Sequence, residues 1–408
     1  MAKEDYAVKE LTTTEAQVAR FRQDIQEKIR VRIREAIELV VQEELTEALG
    51  TGPYERSDQR RGYRNGFEER TVTTEAGTRQ LRIPRGRITH ENGTTSEFRS
   101  EILPRYARRT RAIDEAMLGI YLAGANTRRI RKALTPLLGD QHLSKSAVSR
   151  VVGRLKALFQ AWNERDLSEE QYPIIYLDAI HLKIRLARRV VSVPVLAVLG
   201  VAQDGRKVLV ALRIATSEAA SHWGGVLIDL QRRGLAAPRL LIVDGHTGLR
   251  KALEQWPAAQ VQRCTEHKRA NLKEHCPVHA RAEMKRDYNR IVRAANGLAA
   301  RKAYDTFVSK WSTLCPAVAR SLEEAGDELL TFYEFPKSMW RSLRTTNPLE
   351  NLNREFRRRT KTQGSFSTED AAITLLYGLV AFEQIRMHRI DGHHEVKNLI
   401  VQMKTEVA

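Results

Sequence analysis

"PIIYLDAIHLKIRL", residues 173–186, alternates apolar and polar side chains and predicts a β-strand. A more continuously apolar strand at 190–203 and a third strand at 206–216 follow it. After a helical stretch at about 218–233, "PRLLIVDGHTGLRKAL" (238–253) has the pattern of a short buried strand that runs directly into a helix. The chain is therefore expected to build one sheet from three antiparallel-type strands and then from strand–helix units.

This strand order, extended by a short strand at 259–264, is that of a ribonuclease-H-like α/β core. Residues 266–340 have helical patterns and no strand pattern, which predicts an all-helical insertion into the core. We accordingly predict an α+β multidomain protein. Its core falls in two parts, 169–265 and 341–408, on either side of the insertion.

The chain before the core is predicted to hold three smaller regions. Residues 1–53 contain one long helix, at 13–49, whose apolar residues recur at three- and four-residue spacing. That apolar stripe must be buried, either in a dimer or against its own domain. Residues 54–104 form a basic, β-rich module, and residues 105–168 have all-helical patterns that include a DNA-binding motif.

Basic and aromatic residues are interleaved in the β-rich module. The segment "YRNGFEERTV" carries Asn65-Gly66, a strong signal for a hairpin turn, and Gly77 marks a second turn. Arg61 and Arg64 lie among aromatic residues, an arrangement that suits phosphate contacts together with base stacking. A solvated basic hairpin without a ligand would have the same pattern.

Residues 126–155 have the pattern of a helix-turn-helix. One apolar-striped helix ends at Gly139, and Ser144 caps a second helix whose inner face includes Val148 and Val151. The residues expected to reach base edges and phosphates are Arg128, Arg129, Lys145, Ser146, Ser149, Arg150 and Arg154. A plain helical hairpin would give the same pattern, so both interpretations stay open.

Three acidic residues have positions that suit catalysis. Asp178 lies mid-strand in an apolar run, where a carboxylate is costly to bury unless it is paired or bound to a cation. Asp244 follows four apolar residues to the tip of a strand, a usual ligand position in α/β sheets, although it could also cap the next helix. Glu350 has its own structural explanation, since Asn347 and Pro348 before it complete a capping box.

The predicted sheet brings these acids together. Its first and fourth strands are neighbours, which sets Asp178 beside Asp244, and a later helix can carry Glu350 across them. Clustered carboxylates repel each other and persist around hard divalent cations. The expected cofactors are therefore two Mg²⁺ ions, for which Mn²⁺ can substitute, acting on a phosphoryl displacement.

Charge and composition favour a nucleic-acid partner. The 408 residues include 68 Lys and Arg against 50 Asp and Glu, a net charge of +18, which is typical of a protein that binds a polyanion. No segment has the roughly 18 uninterrupted apolar residues of a membrane-spanning helix, and the N-terminus lacks a secretion signal. With only three cysteines, a reducing compartment is expected, so we predict a cytoplasmic, nucleoid-associated protein.

The segment "TTNPLENLNREFRRRTKTQGSF" (345–366) places Glu350 directly before a run of basic residues. The acid could pair with those arginines instead of capping the helix. At spacings of three and four residues, the basic side chains predict one helical stripe that follows a DNA backbone. They are Arg354, Arg357, Arg358 and Lys361.

Five stretches, in order, resemble the Mutator-type family of bacterial insertion-sequence transposases, whose core is a ribonuclease-H-like DDE nuclease. They are "YERSDQRRGYRNGFEERTV", "YLDAIHLKIR", "LLIVDGHTGLRKAL", "QRCTEHKRANL" and "TTNPLENLNREFRRRTKTQGSF". Carried over by position, the resemblance implies that Asp178, Asp244 and Glu350 are the catalytic acids. It also implies binding of double-stranded DNA at terminal inverted repeats and at the target, and a homodimeric assembly.

"CTEHKRANLKEHCPVH" (264–279) contains two Cys-x-x-His pairs. Together, the four side chains would make a zinc site, although the residues between the pairs look helical. They are Cys264, His267, Cys276 and His279. The resemblance matches only the first pair, and it implies that His267 lies near the scissile phosphate or a displaced base as a hydrogen-bond donor. Core packing with a helix cap is the remaining explanation.

The sequence thus predicts a DNA transposase that cleaves the ends of an insertion sequence and joins the 3′-hydroxyl to target DNA by transesterification. The alternatives are a structure-specific nuclease of the same fold, a DNA-binding regulator without catalysis, and a zinc-stapled structural protein. The intact set of three acids argues against a regulator. The arginine-rich helix and the separate end-binding module argue against a simple nuclease.

Overall fold

The structure is a computed structural model that describes residues 13–75, 77–138, 144–186, 189–361, 366 and 368–407. The chain is mixed α and β and divides into two units, Met1–Val152 and Gly153–Ala408. Gly139 and the first twelve residues of the predicted N-terminal region lie outside the described residues. Among the residues that are described, no helix is long and apolar enough to cross a membrane.

The first unit joins a long helix to a small antiparallel sheet of order β1-β2-β3. Its elements are α1 (Thr13–Leu49), β1 (Gly62–Thr74), β2 (Gly77–Thr89), β3 (Thr95–Glu97), α2 (Arg111–Leu122), α3 (Thr127–Leu138) and the start of α4 (Lys145–Glu164). The second half of α1 buries its apolar side chains in this unit; Val41, Leu45 and Leu49 are fully buried. The first half leaves an apolar stripe in solvent, which consists of Val18, Phe21, Ile25 and Ile29.

The predicted hairpin turn at Asn65-Gly66 is wrong. β1 runs through both residues, and the pairing register shifts at this point as it does at a β-bulge. Gly66 has a φ of +73°, a conformation that glycine adopts at little cost. The chain reverses instead between Thr74 and Gly77, which are paired, so the turn predicted at Gly77 is confirmed.

Three helices of the first unit share one apolar core. The side chains of α2, α3 and the first turns of α4 that form it are Ile113, Met117, Ile130, Leu134, Leu138, Ala147, Val148 and Val151. Ser144 Oγ accepts a hydrogen bond from the backbone N–H of Ala147 at 3.1 Å, which is the predicted cap of the second helix.

The second unit is built on a five-stranded sheet of order β6-β5-β4-β7-β8. Its strands are β4 (Ile174–Leu186), β5 (Arg189–Val201), β6 (Lys207–Ile214), β7 (Leu240–Val243) and β8 (Gln260–Arg263). The first three pair antiparallel, whereas β7 pairs in parallel with both β4 and β8. Three antiparallel strands followed by parallel strand–helix units are what the sequence predicts.

Helices surround this sheet and form a separate bundle after it. The helices are α5 (Ala220–Arg232), α6 (Thr247–Ala252), α7 (Thr265–His275), α8 (Arg281–Val292), α9 (Gly297–Leu314), α10 (Pro316–Ala325), α11 (Trp340–Leu343), α12 (Asn347–Thr360), α13 (Glu369–Ala381) and α14 (Val396–Val407). Residues 266–340, all of them described, are helical and contain no strand. Helices α7 to α10 bury their own apolar core, which includes Tyr288, Phe307 and Trp311.

An ion-pair network joins this helical bundle to the sheet. Arg263, at the end of β8, is 2% exposed and donates two hydrogen bonds to Glu324 of α10, at 3.0 and 3.2 Å. Lys268 Nζ donates to the same carboxylate at 2.7 Å. Partial burial alone would raise the pKa of Glu324, but these hydrogen bonds and charges outweigh it and lower that pKa to about 2.

Candidate active site

Asp178 and Asp244 lie at adjacent positions of the sheet. β4 and β7 pair in parallel up to Leu177 and Val243, which face each other in the last pair. Asp178 is the next residue of β4, which continues to Leu186, and Asp244 is the first residue after β7, so the two acids lie side by side where the parallel pairing ends. The sequence predicts this arrangement because parallel neighbours align their carboxyl ends.

The Asp178 carboxyl is the buried member of this pair, with 8% exposure. Its Oδ1 accepts a hydrogen bond from the N–H of Ala179 at 2.9 Å, and its Oδ2 accepts one from Asn353 Nδ2 at 3.2 Å. Burial first, and then the negative charges of Asp244 and Glu350, raise the pKa of Asp178 to about 7. The ionised form is therefore costly at neutral pH unless a cation neutralises the group.

The Asp244 carboxylate is held by the turn after β7. Its Oδ1 accepts a hydrogen bond from the N–H of His246 at 2.9 Å. The cap of helix α6 is His246, whose Nδ1 accepts from the N–H of Gly248, so the interpretation of Asp244 as that cap is wrong. Gly245 between them has a φ of +90°, and a Cβ there would lie 2.0 Å from Arg263 Nε, so this turn requires glycine.

Glu350 lies in the first turn of α12, but not in a capping box. The helix begins at Asn347, its cap residue is Thr346, and the Glu350 N–H donates to the Thr346 carbonyl at 3.0 Å. The Glu350 carboxylate lies 3.4 Å from Thr346 Oγ1 and 3.9 Å from His267 Nε2. Within the described part of the chain it forms no ion pair with an arginine or lysine. Neither structural explanation from the sequence accounts for this acid.

Asn353 is a site residue that the sequence reasoning missed. It lies one turn after Glu350 on the same face of α12 and is buried, with its Nδ2 on the Asp178 carboxylate. Its Oδ1 is buried without a hydrogen-bond partner, which leaves an oxygen acceptor beside the acids. The signal for it is the three-residue spacing from Glu350, which places both side chains on one helix face.

His267 and Cys264 come from the N-terminal turn of α7. His267 Nδ1 lies 3.3 Å from the Thr346 hydroxyl, and Cys264 Sγ lies 3.4 Å from the same oxygen. Hydrogen bonding to Cys264 raises the pKa of His267 to about 9 against the opposing effect of burial, and the charges of Asp178 and Asp244 act in the same direction. The charged ring can donate a hydrogen bond to an anionic oxygen.

The two Cys-x-x-His pairs do not meet. Cys264 precedes the first residue of α7 and Cys276 follows the last, so roughly 16 Å of helix separates the two cysteines. In the described residues, one group of three candidate ligands has all its ligand atoms within 4.8 Å of one another: Cys264, His267 and Glu350. The two-Cys, two-His zinc site is therefore wrong.

The predicted basic stripe lies on the solvent face of α12. Arg354, Arg357, Arg358 and Lys361 are all exposed, whereas Phe356 on the opposite face is fully buried. Arg358 forms an ion pair with Glu355 at 2.7 Å. The end of the predicted segment, residues 362–365, lies outside the described residues.

The DNA-contact candidates of the first unit differ in their surroundings. Those on and beside α3 and α4 are exposed: Arg128, Arg129, Ser146, Ser149, Arg150 and Arg154. The side chain of Lys145 lies outside the described part of the structure. Arg61 donates to the Glu47 carbonyl at 3.1 Å, and Arg64 donates to Thr46 Oγ1 at 2.8 Å, so both guanidinium groups fasten the sheet to the end of α1.

Comparison with known proteins identifies the chain's relatives. A family model described as "Transposase, Mutator family" matches residues 6–386. The chain belongs to the Mutator family of transposases. The match includes both units and every residue of the candidate active site.

Individual members of the Mutator family are similar over most of their length. A transposase for insertion sequence element IS406 of Burkholderia multivorans is 34% identical, over 87% of this chain and 89% of its own. One for ISRM5 of Rhizobium meliloti is 32% identical, over 91% and 94%. One for IS1081 of Mycobacterium tuberculosis is 35% identical, over 82% and 79%.

Proposed function

We propose that this chain is the transposase of a bacterial insertion sequence, which cleaves double-stranded DNA at terminal inverted repeats and joins the 3′-hydroxyl to target DNA. The observation that carries the proposal is the Asp178 carboxyl, buried beside Asp244 where the parallel pairing of β4 and β7 ends, and close enough to Glu350 for its pKa to respond. The names of the relatives support the same activity.

The fold proposed for the second unit is ribonuclease-H-like, interrupted by the helical insertion. The sheet order β6-β5-β4-β7-β8 supports it, since three antiparallel strands are extended by two parallel ones. This order sets the first and fourth strands side by side, which is what a pair of acids at one end of the sheet requires.

The donor chemistry of these residues suits a hard divalent cation, although in the described residues the one set of three candidate ligands whose atoms already lie within 4.8 Å of one another is Cys264, His267 and Glu350. Three carboxylates and the unpartnered Oδ1 of Asn353 offer oxygen ligands, which Mg²⁺ and Mn²⁺ prefer. Asp178, Asp244 and Glu350 would hold two such ions. Bound there, Mg²⁺ supplies Lewis-acid activation of the attacking water or 3′-hydroxyl and stabilisation of the leaving oxygen.

Other side chains position the DNA. His267, charged at neutral pH because its pKa is raised, would donate a hydrogen bond to a phosphate oxygen or a displaced base next to the acids. The basic stripe of α12 would follow the backbone on the solvent side of the same helix that carries Glu350. Helix α12 would thus place Glu350 at the site of the reaction and its exposed basic side chains along the DNA.

The deciding experiment incubates the full chain and Mg²⁺ with a plasmid that carries the inverted repeats, and maps the cut strands. Cuts at the repeat ends followed by joined products support the transposase. Cuts without any joining would identify a nuclease, and binding without cuts would identify a regulator.

End recognition is proposed to lie in the helix-turn-helix of α3 and α4. Arg150→Ala should weaken binding to inverted-repeat DNA by about 1–3 kcal/mol and weaken binding to random DNA much less, because an exposed arginine on the second helix is placed to read base edges. Lys132→Ala removes one exposed charge from the neighbouring helix and is the matched control. Fluorescence-anisotropy titrations measure both; equal losses on the two DNAs for Arg150→Ala would rule out the reader role.

A homodimer is proposed to form through the exposed apolar stripe of α1. Phe21 is 66% exposed and Ile25 42% exposed, on a helix that projects these side chains into solvent. The double variant Phe21→Asp, Ile25→Asp should shift the protein from dimer to monomer in light scattering. Leu298→Asp, which changes an 86% exposed leucine in α9, should leave the dimer intact. A wild-type chain that is already monomeric at micromolar concentration would refute this surface.

A further inference from the structure

Three side chains of different chemistry converge on one hydroxyl group. Thr346 Oγ1 lies 3.4 Å from Cys264 Sγ, 3.3 Å from His267 Nδ1 and 3.4 Å from Glu350 Oε1. The hydroxyl has one proton to donate, whereas the thiol sulfur and the carboxylate both accept, and so does the imidazole once it is neutral. The Thr346 N–H also donates to the sulfur, at 3.4 Å, but the hydroxyl cannot donate to all three side chains at once.

The donor set is that of a borderline transition metal. Thiolate, imidazole and carboxylate are the three ligand types that Zn²⁺ uses, whereas Mg²⁺ takes oxygen ligands and does not favour a thiolate. The three ligand atoms already lie within 4.8 Å of one another. Tetrahedral zinc ligands lie roughly 3.3–3.8 Å apart, so movements of about 1 Å would close the site, and a water would take the fourth position.

The site is both anchored and open. Cys264 is fully buried, its N–H donates to the Val243 carbonyl at 2.7 Å, and its Sγ accepts from the Thr346 N–H at 3.4 Å. The side chains of His267 and Glu350 are 38% and 42% exposed. A metal ion can therefore approach from solvent between two partly exposed ligands and bind the buried sulfur, which a backbone N–H orients.

We propose that Cys264, His267 and Glu350 form a binding site for Zn²⁺ or a metal of the same class, which shares Glu350 with the carboxylate site. Binding releases the Cys264 thiol proton and one His267 ring proton to solvent, and it places the sulfur, one ring nitrogen and one carboxylate oxygen on the ion. Because Glu350 then coordinates zinc and is not available to Mg²⁺, Zn²⁺ inhibits the Mg²⁺-dependent reaction. This last consequence rests on the proposed function, whereas the metal site does not.

Cys276 and His279 provide an internal control. They have the same Cys-x-x-His spacing as Cys264 and His267. Cys276 is buried in the apolar core of the bundle, and no group of three ligands in the described residues includes either side chain. If spacing alone determined binding, both pairs would have equal affinity for a metal ion. Glu350 supplies a third ligand to the first pair, so the metal should bind there.

The test titrates Co²⁺, a spectroscopic substitute for Zn²⁺, into the full-length chain after chelator treatment. Wild type and Cys276→Ser should bind one ion with a sulfur-to-cobalt charge-transfer band. Cys264→Ser should lose the band, and Glu350→Gln should keep it with an affinity at least about tenfold lower. Circular dichroism checks that each variant is folded. A wild-type spectrum without thiolate character, or a band lost in Cys276→Ser but kept in Cys264→Ser, would overturn the site.

The inhibitory consequence is measured separately. DNA cleavage at fixed Mg²⁺ is followed against rising Zn²⁺, and each variant is compared only with its own zinc-free rate. Wild type and Cys276→Ser should be inhibited, and any cleavage that Cys264→Ser retains should require at least about tenfold more Zn²⁺ for inhibition. A chain that binds Co²⁺ as predicted but never cleaves DNA would refute the proposed function and leave the metal site standing. Cleavage that zinc does not affect would refute the inhibition.

Discussion

Asp178→Asn, Asp244→Asn and Glu350→Gln are each expected to reduce strand cleavage on the order of 10³-fold or more and to leave binding of the inverted repeats nearly unchanged. Each change removes one negative oxygen from the group that would hold the divalent cations, and phosphoryl displacement depends on the charge stabilisation they supply. Cleavage is measured on end-labelled repeat DNA with Mg²⁺, and binding by mobility shift with Ca²⁺. Full cleavage by any of the three variants would refute the assignment of that residue.

Asp178→Asn should also raise Tm in the absence of divalent cations. The folded-state pKa of Asp178 is about 7, above its ordinary value of 3.8, so its ionisation costs stability above pH 7. That cost shrinks as the pH falls from 7 towards 4 and is absent below the ordinary value. The gain in Tm should therefore be larger at pH 8 than at pH 5, and Mg²⁺ should stabilise the wild type more than the variant.

Asn353→Leu is expected to lower cleavage about 10- to 100-fold, because it removes the hydrogen bond that orients Asp178. Asn353 acts through the acid, so it is a positioning residue. Its loss should raise the Mg²⁺ concentration needed for half-maximal rate, which simple destabilisation would not do. Asn351→Leu, on the exposed face of the same helix, is the matched control and should cleave normally. An unchanged Mg²⁺ dependence in Asn353→Leu would contradict the role.

The sheet and its two aspartates can be predicted from the sequence because the relevant signals are local. Apolar runs and their alternation identify the strands, and the parallel pairing of β4 with β7 then aligns Asp178 with Asp244 without further information. The prediction of a turn at Asn65-Gly66 is wrong because it also rests on a local signal. A glycine with positive φ fits a tight turn and a bulge equally well, and only the length of pairing on both sides, a nonlocal property, separates them.

The far side of the site cannot be predicted in this way, because it depends on contacts between residues distant in the chain. Asn353 is 175 residues from Asp178, and its three-residue spacing from Glu350 indicates a shared helix face but not the contact with Asp178. The separation of the two Cys-x-x-His pairs likewise follows from where α7 begins and ends. The sequence predicts the cap of α12 at Asn347, one residue after the observed cap Thr346, because both are favourable cap residues.

The ion-pair network between β8 and α10 couples the unfolding of the helical insertion to that of the sheet in the second unit. Arg263 is buried beneath the turn that carries Asp244, and Glu324 of the helical insertion accepts its hydrogen bonds. The insertion therefore cannot unfold as a separate foldon without exposing the end of the sheet. The lowered pKa of Glu324 keeps that fastening intact as the medium is acidified, until the pH approaches about 2. The most protected amide protons of the insertion and of the sheet should therefore exchange as one cooperative block. Local opening should then not disrupt the candidate active site while the rest of the chain stays folded.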